Sequence, residues 1–189
     1  MAEMGAEFRL ETERLVLRQI GEDDVEAHLQ TLNSGRVMER LGGPRTRDEI
    51  AQKHAKTRAS YAEEGFGFLF AYELTTGELV GHCGMKRVDN EHAPNLGDHE
   101  IGWLIRDDRW RMGYAEEAVR AIMGWAFRDH DAPHLVALTS TANAGSWNLM
   151  QKLGMERRAD LDFTDPEFPP EDSPTIQYSI TRDRWEAAQ

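Results

Sequence analysis

The sequence has a single cysteine, Cys83, in 189 residues, so no intramolecular disulfide can form and the chain fits a reducing compartment. It has no long apolar run. The longest, Phe66 to Tyr72, is far short of the roughly 20 residues that cross a bilayer. The opening MAEMGAEF carries two glutamates and no apolar core, which is not the pattern of a signal peptide. A cytoplasmic protein is therefore expected. Positive charge is scarce too: 22 Lys and Arg stand against 34 Asp and Glu, a net of −12. That balance repels phosphate backbones and anionic lipid, so neither nucleic acid nor a membrane surface is an expected partner. It suits a small cationic ligand such as an amine, or simply solubility. No repeat, low-complexity tract or Gly/Ser/Pro linker divides the chain before residue 164, which predicts one continuous unit.

The patterns that are present predict alternating strands and helices. A first strand is expected at Leu15 to Arg18. The carboxylates of GEDD then stand at a helix start, with apolar positions through Val25, His28, Leu29 and Leu32. A second helix is expected from Thr46 to Glu63. GFGFLFAYEL, the turn TTGE and LVGHCGMKRV read as a hairpin. HEIGWLI alternates Ile101, Trp103 and Ile105 with Glu100, Gly102 and Leu104, the period of a strand. From Ala115 to Phe127 the apolar residues recur at helical spacing. HLVALTS reads as a buried strand. A short helix over Ala144 to Leu153 follows, with Asn143 as its cap and Gly154 at its left-handed end. TIQYSIT closes the pattern. Strands interleaved with helices give an α/β layer arrangement.

The richest stretch is IGWLIRDDRWRMGYAEEAVRAIMGWAF, in which a strand, a basic loop and a helix start follow one another. The first N–H groups of a helix have no acceptor of their own and the helix dipole adds about half a positive charge there, so main chain alone can hold a phosphate. Gly113 permits close approach, while Arg106, Arg109 and Arg111 make the segment positive within an acidic chain. A strand-to-helix turn of purely structural use has the same spacing.

Several segments together resemble the GNAT superfamily of acetyl-CoA-dependent amine acetyltransferases. That family's pyrophosphate loop reads Gln/Arg-x-x-Gly-x-Gly/Ala, and WRMGYA supplies Gly113 and Ala115 with Trp110 in first place. A tryptophan there, followed by a run like GYAEEA, resembles the branch of ribosomal-protein N-terminal acetyltransferases. ETERLVLR, NAGSWNLMQKLGM and YSITRDRW are similar to the same branch, so the resemblance implies a single N-acetyltransferase domain over residues 8–186. The resemblance implies a mixed, strongly twisted sheet with helices on both faces, split between its fourth and fifth strands to admit the cofactor. It assigns the backbone of Arg111, Met112, Gly113, Tyr114, Ala115 and Glu116 to the pyrophosphate of acetyl-CoA. The strand edge at Trp103, Leu104 and Ile105 is assigned to the pantetheine arm, and Asn143 and Ser146 to the neighbourhood of the thioester.

Acetyl transfer needs a deprotonated amine, a polarised carbonyl and an exit for the thiolate. A primary amine is mostly protonated at neutral pH, so a carboxylate is the usual proton acceptor. Glu100, on the strand leading into the loop, is the candidate; a solvated strand carboxylate is the other reading. Many members of the family carry a tyrosine acid at the position held here by Met150. Ser146 matches the serine proposed to serve the thiolate in the ribosomal-protein branch, with Tyr114 a weaker substitute. The implied acceptor is a protein N-terminal amine, with a polyamine or aminoglycoside-like small amine as the alternative. A catalytically idle acyl-CoA-binding module is the reading from another class. No metal is expected: Asp98, His99, Glu100, His92 and His82 match no ligand spacing. Cys83 lies in an apolar strand, where an inert thiol is the common state. The acidic stretch from Asp160 to Asp172 borders the acceptor or is a solvated loop. Trp125, Trp147 and Trp185 are read as packing residues, and a homodimer is left open.

Overall fold

The computed structural model describes residues 8–189; residues 1–7, which carry most of the segment read against a signal peptide, lie outside the described residues. The chain begins with β1 (Arg9–Glu11) and β2 (Leu15–Gln19), then α1 (Val25–Leu32) and α2 (Arg47–Glu64). A hairpin of β3 (Phe68–Glu73) and β4 (Leu79–Arg87) leads to β5 (His99–Ile105). The second half is α3 (Tyr114–Asp129), β6 (His134–Ser140), α4 (Ala144–Lys152), β7 (Glu156–Arg157), β8 (Thr175–Thr181) and α5 (Arg182–Ala187).

Local chemistry sets these boundaries. Thr46 caps α2 through a reciprocal box, in which its hydroxyl accepts from the Glu49 N–H (3.3 Å) while the Glu49 carboxylate accepts from the Thr46 N–H (2.7 Å). Gly65, at φ 79°, ends that helix in the left-handed region. The expected hairpin therefore starts three residues late, at Phe68, because Gly65 belongs to the helix terminus. Asn143 caps α4 as expected, its Oδ1 accepting from the Ser146 N–H at 3.2 Å.

The strands form one sheet in the order β1-β2-β3-β4-β5-β6-β8-β7, antiparallel throughout except for β5 and β6. Its two faces bury different sets of side chains. Leu15, Leu17, Leu69, Ala71, Cys83, Met85, Ile101 and Ile105 join α3 in the main core, against Ala118, Val119, Ile122, Met123 and Ala126. The opposite face puts Phe70 and Leu79 with Leu32 of α1. Helices thus cover both faces, as the resemblance implies. Trp125 is buried in the main core and Trp185 packs beside Phe127.

On the α1/α2 face three histidines meet. His28 Nδ1 lies 3.0 Å from His54 Nε2, and the ring of His82 on β4 is 5.7 Å from that of His28. Burial holds His28 near pKa 4 and His82 near 3, with their neighbours' charges acting in the same direction. Burial also lowers His54, against the pull of Asp24. All three fold as neutral rings, whereas in the unfolded chain they protonate near pH 6.5. Stability is therefore complete above about pH 6.5 and is lost as pH falls from there toward the folded values. Urea midpoints should drop between about pH 6.5 and about pH 5, by roughly 1 kcal/mol per imidazole for each pH unit. A flat profile across that window would show that the cluster is not built on neutral rings.

Candidate active site

β5 and β6 run parallel and are paired at one point, Glu100 with Val136. Beyond that pair the strands have no mutual register, so the edge of β5 from Ile101 to Ile105 faces a gap. Counted without the three-residue β1, these are the fourth and fifth strands of the expected split. Both run toward the same end of the gap, and each is followed by a helix whose N-terminus stands there: α3 after β5, α4 after β6. The open carboxyl ends of parallel strands are where α/β sheets bind ligands.

The loop between β5 and α3 is shaped for backbone donation. Arg111 has φ 61° and Gly113 φ 83°, left-handed values that only glycine adopts without strain. The first helical bond runs from the Glu117 N–H to the Gly113 carbonyl (3.1 Å), leaving the N–H groups of Tyr114, Ala115 and Glu116 without a helix acceptor. Met112 and Arg111 are exposed beside them. The loop's other arginines are engaged: Arg106 with Asp108 (2.6 Å) and Arg109 with Glu78 (2.7 Å). Trp110 donates its indole N–H to the Ile105 carbonyl (2.7 Å) and lies under the Arg36 guanidinium; it closes the turn.

Arg14 braces this loop from the β1–β2 turn. Its Nη1 donates to the Met112 carbonyl (2.9 Å) and its Nε to Glu117 (2.7 Å), and Glu117 also accepts from Thr12 Oγ1 (2.6 Å) and the Arg14 N–H (2.7 Å). These partners sit about a hundred positions apart in sequence. The only signal for them was ETERLVLR, whose Thr12 and Arg14 turn out to be the contacting residues. Glu116 is likewise tied, to Lys152 of α4 and to Arg120 (3.0 Å).

Glu100 sits where the strands part. Its carboxylate is 3.2 Å from the Lys86 ammonium, across the β4–β5 register, and Lys86 also bonds Asp89, which Lys56 reaches as well. Burial pushes the Glu100 carboxyl above the ordinary carboxylate range, with Lys86 pulling part of the way back. Such a group is a stronger base than a solvated glutamate. Asp98 and His99 go elsewhere: Asp98 to His134 (3.1 Å), His99 to Arg87 and Phe66. Among the described residues no group of three His, Cys, Asp or Glu side chains is arranged to hold a metal.

At the other helix start, Ser146 is half-buried and its hydroxyl makes no hydrogen bond within the described residues, while Asn143 spends Oδ1 on its cap. Tyr114 is buried with its hydroxyl donating to Glu73, which raises its pKa and commits its proton. Met150 is core, 1% exposed. Cys83 is fully buried, and burial pushes its thiol up, away from reactivity. In the acidic stretch, Asp172 is buried against Arg40 (3.3 Å) and Ser140 (3.4 Å), and Asp165 accepts from Asn90 (2.6 Å). That segment is thereby held on the loop that follows α1 and on the end of β6.

The acetyltransferase (GNAT) domain family matches residues 14–156, a span that contains the split, the loop and both helix starts. The chain belongs to this family. YoaA of Bacillus subtilis (strain 168), described as an uncharacterized N-acetyltransferase, is 30% identical over 155 residues, covering 80% of this chain and 85% of that protein. A solved ribosomal L7/L12 alpha-N-protein acetyltransferase shares the fold at TM-score 0.76 and 14% identity, covering 96% of this chain and 98% of its own. So does an aminoglycoside acetyltransferase in complex with coenzyme A, at TM-score 0.72 and 21% identity, covering 92% and 98%. The protein is an acetyl-CoA-dependent acetyltransferase, and no helix among the described residues is long and apolar enough to cross a membrane.

Proposed function

We propose that this GNAT enzyme transfers an acetyl group from acetyl-CoA directly to a protein N-terminal amine, with both substrates bound at once. The observation that carries the reading is Glu100 at the point where β5 and β6 part, its carboxyl buried beside Lys86 and raised by that burial, on the strand that leads to the first of two helix N-termini at one end of the gap. The open N–H groups of Arg111 to Glu116 fit a pyrophosphate. Arg111, exposed and without any hydrogen bond or ion pair among the described residues, adds charge where it is unspent. The unpaired edge at Trp103, Leu104 and Ile105 offers main-chain partners to the amides of the pantetheine arm.

In this reading Glu100 accepts the proton of the acceptor ammonium, through water or directly. The freed nitrogen bonds to the thioester carbon as the carbon–sulfur bond breaks and the electron pair leaves on sulfur, and the proton the new amide nitrogen sheds passes to the thiolate to give the CoA thiol. The Ser146 hydroxyl, free of other partners, hydrogen-bonds the departing thiolate, and Asn143 lines the arm. A thiol of pKa near 8.5 leaves with modest help, so the buried Met150 in place of a tyrosine acid is compatible with turnover. An α-amino group, with pKa near 7.7–8.0, also asks less of a carboxylate base than a lysine or polyamine nitrogen near 10.4. That difference, with the resemblance of GYAEEA and NAGSWNLMQKLGM, supports an N-terminal acceptor.

Release of CoA thiol, measured with N-terminal peptides and with small polyamines and aminoglycosides, tests the proposal. Faster release on peptides is expected. Acetyl-CoA binding with no release on any acceptor would instead support an idle binding module.

A further inference from the structure

Besides the cores on the two faces of the sheet, the fold holds a third apolar cluster. Val88, Ala93, Val136 and Phe163 are buried together, with Leu138 packed against them. They converge from four parts of the chain: the extension of β4, where the Val88 N–H donates to the Asp98 carbonyl (2.8 Å), the loop after it, β6, and the segment before β8, where Phe163 bridges to Thr175. Neither the cofactor loop nor the proton transfer has a use for this cluster.

Its place follows from strand alternation. Along β6, Leu135 and Ala137 point into the main core while Val136 and Leu138 belong to the third cluster, the period of two that a strand imposes. Along β5, Ile101, Trp103 and Ile105 pack on the main core, which leaves Glu100, Gly102 and Leu104 on the opposite face. Glu100 and Val136 form the one registered pair of the two strands, so Val136 stands beside Glu100 on that same face. Burial changes at this point. Ile101, Leu135, Val136 and Ala137 are at most 1% exposed, whereas Gly102, Trp103 and Leu104 on one strand, and Leu138 and Thr139 on the other, are half-buried. The gap is therefore open from Gly102 and Leu138 onward and is filled at the Glu100–Val136 pair, where an apolar side chain closes it on the β6 side.

In the proposed reaction the phosphates lie at the wide end of the gap, on Arg111 to Glu116, and the thioester carbon lies within reach of the amine that Glu100 deprotonates. The acyl chain, bonded to that carbon on the side away from the sulfur arm, is the leading end of the donor and meets the closed end of the gap. A close-packed wall yields little to an extra methylene. We infer that Val136, packed with Val88, Ala93 and Phe163, ends the acyl pocket at two carbons and so makes the enzyme select acetyl over longer acyl groups. This deepens the proposed function and rests on its placement of the thioester beside Glu100.

The test is a ladder of acetyl-CoA, propionyl-CoA and butyryl-CoA. Binding is measured by calorimetry without an acceptor, and thiol release with Ala-Ala-Ala-Ala-amide. In the native enzyme each added methylene should lower kcat/KM by about tenfold or more, the usual discrimination of an apolar pocket, and butyryl-CoA should bind more weakly than acetyl-CoA. Val136→Ala, which removes two methyl groups from the wall, should raise the propionyl-to-acetyl ratio about tenfold and restore butyryl-CoA binding. Val136→Ile, which adds one carbon, should move the ratio the other way; thermal melts verify that both variants fold, and the alanine variant decides alone if the isoleucine variant does not. A residue that only packs the fold would slow all donors alike, and that result overturns the inference. A steep native ladder unchanged by the substitutions overturns it too, because the length limit then lies elsewhere. Equal use of butyryl-CoA and acetyl-CoA by the native enzyme overturns it and leaves the transfer reading standing. Binding of none of the three thioesters overturns both.

Discussion

Glu100→Gln is expected to lower kcat/KM by about 10²–10⁴-fold near neutral pH, the usual worth of a positioned general base. The amide keeps the shape and can still accept a hydrogen bond from Lys86, but it cannot take a proton. The loss should shrink at high pH, where more of the amine is already free. In the native enzyme the sign is set by the raised Glu100 carboxyl: the base works only above its own pKa, so the acid limb of the profile should lie above the ordinary carboxylate range. A stopped thiol-release assay across pH, with thermal melts to verify folding, measures both. A loss of the same size at every pH would make Glu100 a positioning residue.

The second large effect is on cofactor affinity. Gly113→Trp should weaken acetyl-CoA binding by at least about 100-fold, about 2.8 kcal/mol at 1.4 kcal/mol per decade. Gly113 has φ 83°, and a Cβ added there would stand 3.2 Å from Arg14 Nη2, so any side chain meets both backbone strain and the arginine that braces the loop. An indole would in addition cover the N–H groups of Tyr114 and Ala115. Gly113→Ala, which introduces the strain without the bulk, should weaken binding less, and calorimetry on the two variants separates the causes. A folded Gly113→Trp protein with unchanged affinity would remove the pyrophosphate from this loop.

Much of the fold was legible because its signals are local. The hairpin is announced by TTGE, with Gly77 at φ 72°. The helix from Tyr114 follows from apolar residues at helical spacing, and α4 from Asn143 and Gly154, the latter at φ 82°. The elements that escaped have no such signal. β1 is three residues and β7 two, largely polar and exposed; each is a strand only because a neighbour offers it hydrogen bonds. α5 begins directly at the end of β8, where Thr181 Oγ1 accepts from the Arg184 N–H (3.3 Å), and it was hidden inside a motif read only for its resemblance.

The candidate site divides the same way. Residue order alone was enough to fix a strand, a glycine-bearing loop and a helix start, because dihedral preference and helical periodicity act over a few neighbours. Two things required the folded chain: the pairing of Lys86 with Glu100, which depends on the register of two strands, and the grip of Arg14 and Thr12 on Glu117 across roughly a hundred residues. Each depends on which distant charges end up within a few ångströms of one another, and Coulomb and desolvation energies at that range follow from three-dimensional placement, which no local pattern in the sequence encodes.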